Sequence, residues 1–166
     1  MEQVQADVAD DGVSTPPADP ADEPAQRQLA GLRQVVDDAR SDGIDLKIVV
    51  VDYSPPTDTP LRDIATQVGE ANPGATVLTL SPTFAGTYSP VFDRVTLEAG
   101  QDVARTGDPV QSSKNFLGEL TTPHFPWTPF TIVLVCAVAL AVVGTRLLRV
   151  RGKRAEISDT ASTGSD

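Results

Sequence analysis

Asp52, Tyr53 and Ser54 follow directly on one β-branched run, and Ser81 and Thr83 follow on another, with Tyr88 a few residues beyond. If the two runs are neighbouring parallel strands, these side chains meet past the strands' C-terminal ends, where ligands of open α/β sheets bind. Asp52, Ser54 and Ser81 then offer carboxylate and hydroxyl oxygens to a ligand. With Asp58 and Asp63 close by in sequence, the same cluster could take calcium or magnesium, hard cations that bind oxygen donors. The competing reading is plain loop-making, because Asp, Ser and Thr also cap and close turns.

Other chemistry is scarce. The sole histidine, His124, stands in TTPHFP just before a long apolar run, so any Ser-His-Asp arrangement would have to use it. There is no Walker loop, no GxGxxG, and no His and Cys set at zinc spacing. No catalytic residue, metal ligand or cofactor is assigned on this basis, and the expected role is binding rather than catalysis. Tyr53, Thr83, Phe84 and Tyr88 are the candidate partner-binding residues, since loops on a rigid scaffold carry recognition and aromatic side chains supply much of the binding energy. A hydrolase working through Asp52 is the alternative.

The elements that must position these residues follow from periodicity. Leu29, Leu32, Val35, Val36 and Ala39 recur on one helical face, and Asp42-Gly43 ends that helix. LKIVVVD, Leu46 to Asp52, is apolar on both sides, as in a central strand covered on both faces. Pro60 suits the first turn of a second helix carrying Leu61, Ile64, Ala65, Val68 and Ala71, which Asn72-Pro73-Gly74 stops. Ala75 to Leu80 reads as a second strand, parallel to the first through a right-handed crossover. SPTFAGTYSP reads as a loop, VFDRVTLEAG as a third strand by its β-branched content, and Asp108-Pro109 opens a last helix with Phe116 and Leu117 inward. The first 24 residues hold seven acids, four prolines and almost no large apolar side chain, and are expected to be a disordered leader.

Charge divides the chain. Up to Pro126 there are 20 acidic and 8 basic residues, a balance of −12, whereas the remainder holds 3 acidic and 5 basic residues. So acidic a head repels phosphate backbones and argues against a nucleic-acid partner. The single cysteine, Cys136, lies inside the apolar run, so the head has no thiols for a disulfide and must be held by packing.

From Leu120 to Thr145 there is no charged residue, and Thr128 to Leu148 are long and apolar enough for one transmembrane helix, which needs about 20 residues. Phe125, Trp127 and Phe130 would sit at one interface, with Arg146, Arg149 and Arg151 at the other. The basic cluster predicts a cytoplasmic C-terminus and an extracytoplasmic head at the plasma membrane. Because no basic start and apolar stretch precede the head, export would rely on the C-terminal helix as a reverse signal anchor. A cytoplasmic tail-anchored adaptor is the alternative. The organisation expected is a leader at 1–24, an α/β domain at 25–122, an interfacial linker at 123–127, the helix at 128–148, and a tail at 149–166 that is first basic and then rich in Ser and Thr.

Three stretches carry a family resemblance: LKIVVVDYSPPTDTPLRDIATQV, the SPTFAGTYS loop leading to DRVTLEAGQD, and PVQSSKNFLGEL ahead of FPWTPFTIVLV. Together they resemble small actinobacterial one-pass membrane proteins whose head is similar to a divergent TPM domain. The resemblance implies an α/β head with a small central sheet flanked by helices, followed by one transmembrane helix. It also implies a cell-envelope role beside NlpC-type peptidoglycan endopeptidases, as a regulator of cell-wall remodelling or cell separation. Weak phosphatase or metal-dependent hydrolase activity occurs in the wider TPM group.

Overall fold

The computed structural model describes residues 1–122 and 130–146. The head, Met1–Thr122, is a unit of its own. Its elements run α1 (Glu2–Asp10), β1 (Val13–Ser14), α2 (Glu23–Ser41), β2 (Leu46–Val50), α3 (Thr59–Ala71), β3 (Thr76–Leu80), β4 (Ala85–Tyr88), α4 (Arg94–Val103) and α5 (Pro109–Thr121). The four strands lie in the order β1-β2-β3-β4. β1, β2 and β3 are parallel, with Ser14 opposite Val49 and Val50 opposite Leu80. β4 returns antiparallel, placing Ala85 beside Leu80 and Tyr88 beside Val77.

Alternation along the strands feeds two cores, because successive side chains point to opposite faces. Leu46, Ile48, Leu78 and Leu80 pack with Leu32, Val35, Val36 and Ala39 of α2 and with Phe116, Leu117 and Leu120 of α5. Val49 and Val77 face the other way, onto Val8 of α1 and Ala65 and Val68 of α3. Coverage on both faces is what the unbroken apolar run of β2 predicts. Asp22, Asp93 and Asp108 cap α2, α4 and α5 by accepting from Ala25, Thr96 and Gln111 backbone N–H groups at 3.1, 2.8 and 2.9 Å. Such caps satisfy donors that helix geometry leaves without partners.

The structure corrects three expectations in the head. The acidic leader is not disordered: it supplies α1 and the edge strand β1, with Val8 and Val13 buried in the two cores. Two well-placed valines suffice for this, whereas overall composition dilutes them among acids and prolines. Ser14 Oγ donates to Asp7 at 2.8 Å, and Gly12 O accepts from Ile48 N at 2.8 Å, so the segment is tied down by polar contacts as well. Second, AGTY within the expected loop is β4. Its glycine is needed because a side chain at Gly86 would come within 2.5 Å of the Leu61 backbone at the start of α3. Third, the expected strand after Pro90 is the helix α4; Asp93 caps it, and Leu97, Gly100 and Gln101 are buried at helical spacing.

The expected spanning segment Thr128–Leu148 falls only partly within the described residues. Residues 130–146 are helical, with Ile132, Val135, Leu140 and other large apolar side chains exposed along them. Among the described residues no helix is long and apolar enough to cross a membrane. Of the interface residues, Phe130 and Arg146 lie in this stretch, whereas Phe125, Trp127, Arg149, Arg151, the linker 123–127 and the tail 149–166 lie outside the described residues.

Candidate functional site

The parallel strands β1, β2 and β3 end together, and β4 begins at the same end. Two hollows flank these ends. One, of about 270 Å³, is lined by Pro16, Gln28, Val50, Asp52, Leu80, Ser81, Gly107 and Ser112. The other, of about 280 Å³, lies on the α1 side and is lined by Val4, Asp7, Thr15, Pro17, Val51, Asp52 and Tyr53 among others. Asp52 lines both and so stands on the divide between them. Tyr53 is 48% exposed, and Asp52 and Ser54 are exposed beside it.

Ser81 reaches this surface, but its hydroxyl is engaged. Oγ donates to Phe84 O at 3.0 Å and accepts from Phe84 N at 2.9 Å, while Ser81 N donates to the same carbonyl at 2.9 Å. These bonds close the turn between β3 and β4. Thr83 is exposed at its tip and Phe84 is half-buried, with the Arg105 guanidinium 5.9 Å above its ring. A cation over an aromatic face is mildly attractive, and here it steadies the loop.

Tyr88 does not join the cluster. It pairs with Val77 at the opposite end of the sheet, packs against α3, and lines a separate polar hollow of about 250 Å³ with Arg62, Ser89 and Gln101. Four residues of antiparallel β4 carry it away from Phe84, a distance that reading the whole segment as a loop conceals. Asp58 is likewise engaged elsewhere: it accepts from Gln101 Nε2 at 3.2 Å and pairs with Arg62 at 3.8 Å. Among the described residues no group of three or more His, Cys, Asp or Glu side chains is placed to hold a metal ion.

Thr15, Pro16 and Pro17 border the surface and were hidden by the leader reading. The signal for them is Asp11-Gly12-Val13. Asp11 Oδ1 accepts from Val13 N at 3.0 Å, Gly12 takes φ +85, and the valine enters the sheet. A turn followed by a buried apolar residue and two prolines is how a short edge strand ends. Asp7, Asp10 and Asp11 add acidity on this side, partly offset by Arg33, which pairs with Asp11 at 2.5 Å.

Parallel strands closed by one antiparallel edge strand, with helices on both faces and hollows at the strand ends, define a small α/β domain. A model of the family described as membrane protein Rv1476 matches residues 1–160. Over 165 residues the chain is 53% identical to membrane protein Rv1476 of Mycobacterium tuberculosis (strain ATCC 25618 / H37Rv), covering 99% of this chain and 84% of that protein. The chain belongs to this family of membrane proteins. The chain also resembles the solution NMR structure of the N-terminal domain of the cg2496 protein from Corynebacterium glutamicum, with a TM-score of 0.51. That likeness covers 66% of this chain and 77% of the other at 16% identity, which makes it one of fold.

Proposed function

We propose that the protein is a single-pass, membrane-anchored binding or regulatory protein whose extracytoplasmic head docks on a protein partner through the strand-end surface. The observation that carries this reading is the exposed Tyr53, which lines the hollow on the α1 side next to Asp52, the residue that lines both hollows and shares the second with Ser81. An exposed aromatic ring at the rim of a hollow, among hydrogen-bonding groups, is suited to a protein interface. Asp52 has no histidine or second carboxylate among the described residues that line either hollow with it, apart from Asp7 on the α1 side. That supports recognition over hydrolysis.

The membrane arrangement rests on the sequence. Thr128–Leu148 is the spanning segment in this reading, and Arg146, Arg149, Arg151, Lys153 and Arg154 hold the C-terminus in the cytoplasm. The TPM-like resemblance supports a cell-envelope partner, for which a peptidoglycan hydrolase of the NlpC type is the choice. Affinity capture of the full-length protein from its own membranes tests this. Capture of a cell-wall hydrolase that Tyr53→Ala abolishes and Tyr88→Ala spares is the expected result. Hydrolysis of a phosphate ester by the purified protein, lost in Asp52→Ala, would replace this reading with an enzymatic one.

A further inference from the structure

Among the described residues, the two strand-end hollows are lined by acids and by no lysine or arginine: Asp7 and Asp52 on the α1 side, Asp52 alone on the other. The head's bases are used elsewhere. It has eight, and six of them are held in ion pairs by acids other than Asp7 and Asp52. Arg33, which shares a neighbouring hollow with Asp7, directs both Nε and Nη2 to Asp11 Oδ2, at 2.6 and 2.5 Å. Asp7 is half-buried and its Oδ2 accepts from Ser14 Oγ at 2.8 Å, which fixes the carboxylate and leaves Oδ1 for a further donor. No hydrogen bond or ion pair engages the exposed Asp52 carboxylate among the described residues.

The rest of the α1-side hollow is largely apolar, with Val4, Val49, Val51, Pro16 and Pro17 in its wall, and Tyr53 stands at its rim. A carboxylate or phosphate would be repelled here. An apolar side chain would take water from two carboxylates without giving them a partner, which costs free energy. A long cationic side chain meets every part of the hollow: its methylene stem lies along the valines and prolines, its charged end reaches the carboxylates, and the Tyr53 ring offers it a face. A guanidinium suits this better than an ammonium, since its planar fork can bond a carboxylate in two places and stack on an aromatic ring.

We infer that the hollow lined by Asp7, Asp52 and Tyr53 takes an arginine side chain, or more weakly a lysine, from a basic segment of the protein partner. This depends on the strand-end docking surface proposed above. The head's balance of −12 adds a long-range attraction for such a segment, which salt weakens.

The test uses the full-length chain in detergent micelles with fluorotyrosine in place of tyrosine. The chain has two tyrosines, so its fluorine NMR spectrum reports Tyr53 at the hollow and Tyr88 at the opposite end of the sheet, the signals being assigned with Tyr88→Phe. The probes are acetylated, amidated Gly-Ser-Arg-Ser-Gly and the same peptide with Lys, citrulline or Glu in place of Arg. The arginine peptide is expected to move the Tyr53 signal saturably and leave Tyr88 in place, the lysine peptide to bind several-fold more weakly, and the other two to move neither signal. Asp52→Asn and Asp7→Asn should each weaken the arginine peptide several-fold, with an unchanged Tyr88 signal showing that the fold is intact. Glu70→Gln, which removes the same charge from an exposed position on α3, should leave binding as it was. Equal shifts with the arginine and citrulline peptides, equal weakening by Glu70→Gln and Asp52→Asn, or a Tyr53 signal unmoved up to the solubility of the peptide would each overturn the inference. Calcium chloride that moves Tyr53 and displaces the peptide at matched ionic strength would overturn it in favour of a metal ion. Capture from native membranes separates this failure from that of the docking surface. A partner lost in Tyr53→Ala but retained by Asp52→Asn and Asp7→Asn refutes the cation alone, whereas one retained by all three refutes the surface as well.

Discussion

Tyr88 packs its ring directly on Gly69 of α3, so closely that a methyl group at position 69 would overlap the ring. The three atoms nearest to such a group all belong to Tyr88. Gly69→Ala should therefore destabilise the head, although alanine is favoured over glycine in a helix by about 1 kcal/mol. Tyr88→Ala should cost about 2 to 3 kcal/mol, below the usual range for aromatic truncation because the ring is only half-buried. In the Tyr88→Ala background, Gly69→Ala should change sign and stabilise. Denaturant unfolding of the four proteins forms a double-mutant cycle. Additive effects would mean that the ring and the glycine are not in contact.

The N-terminal segment is a second point of leverage. Deleting residues 1–14 removes Val8 and Val13 from the two cores and leaves one edge of β2 without its partner. Loss of two buried valines alone should cost about 3 to 5 kcal/mol. Head proteins beginning at residue 1 and at residue 15 can be compared by urea unfolding. Equal midpoints would restore the disordered leader.

How far the sequence discloses the fold depends on how each element is stabilised. α2, α3, α5, β2 and β3 each bury a face of their own, so the periodicity of Leu32, Val35, Val36 and Ala39, or of Leu61, Ala65 and Val68, is visible in isolation. β1 and β4 are edge strands whose existence depends on neighbours: Val13 needs the edge of β2, and Gly86 reads as a loop residue until α3 is seen lying across it. β-branched Val91, before α4, and Val95, within it, are both exposed; the helix is decided by the Asp93 cap and by Gly100 against Phe116. For the same reason the candidate site was legible where it hangs on β2 and β3, at Asp52, Tyr53 and Ser81. It was misplaced at Tyr88, where it hangs on β4.

Thr79, the last residue but one of β3, is fully buried and its Oγ1 has no hydrogen-bond partner among the described residues. A buried hydroxyl left without a partner carries a desolvation penalty of about 1 to 3 kcal/mol. Valine has nearly the same shape and no polar group, so Thr79→Val should raise stability by about 1 kcal/mol or more. An unchanged or lower unfolding midpoint would mean that the hydroxyl has a partner in solution, such as a buried water.

Ser81 is the residue through which loop order and recognition can be separated. Its hydroxyl bridges the Phe84 N–H and carbonyl groups and accepts a longer bond from Thr83 N, so Ser81→Ala removes three hydrogen bonds from a four-residue turn without changing Tyr53. The expected loss of stability is about 1 kcal/mol, since the freed backbone groups at the rim can turn to water. If the Thr83 and Phe84 loop takes part in docking, the variant must also order that loop on binding, and partner capture should fall by more than the loss of stability accounts for. Ser81→Thr keeps the hydroxyl and should restore both properties, whereas Tyr53→Ala should reduce capture with the unfolding midpoint unchanged. Capture measured beside urea unfolding on these three proteins distinguishes the outcomes. Full capture by Ser81→Ala together with loss in Tyr53→Ala would confine the interface to the Asp52 and Tyr53 side of the strand ends. Full capture by both would place the interface elsewhere on the head.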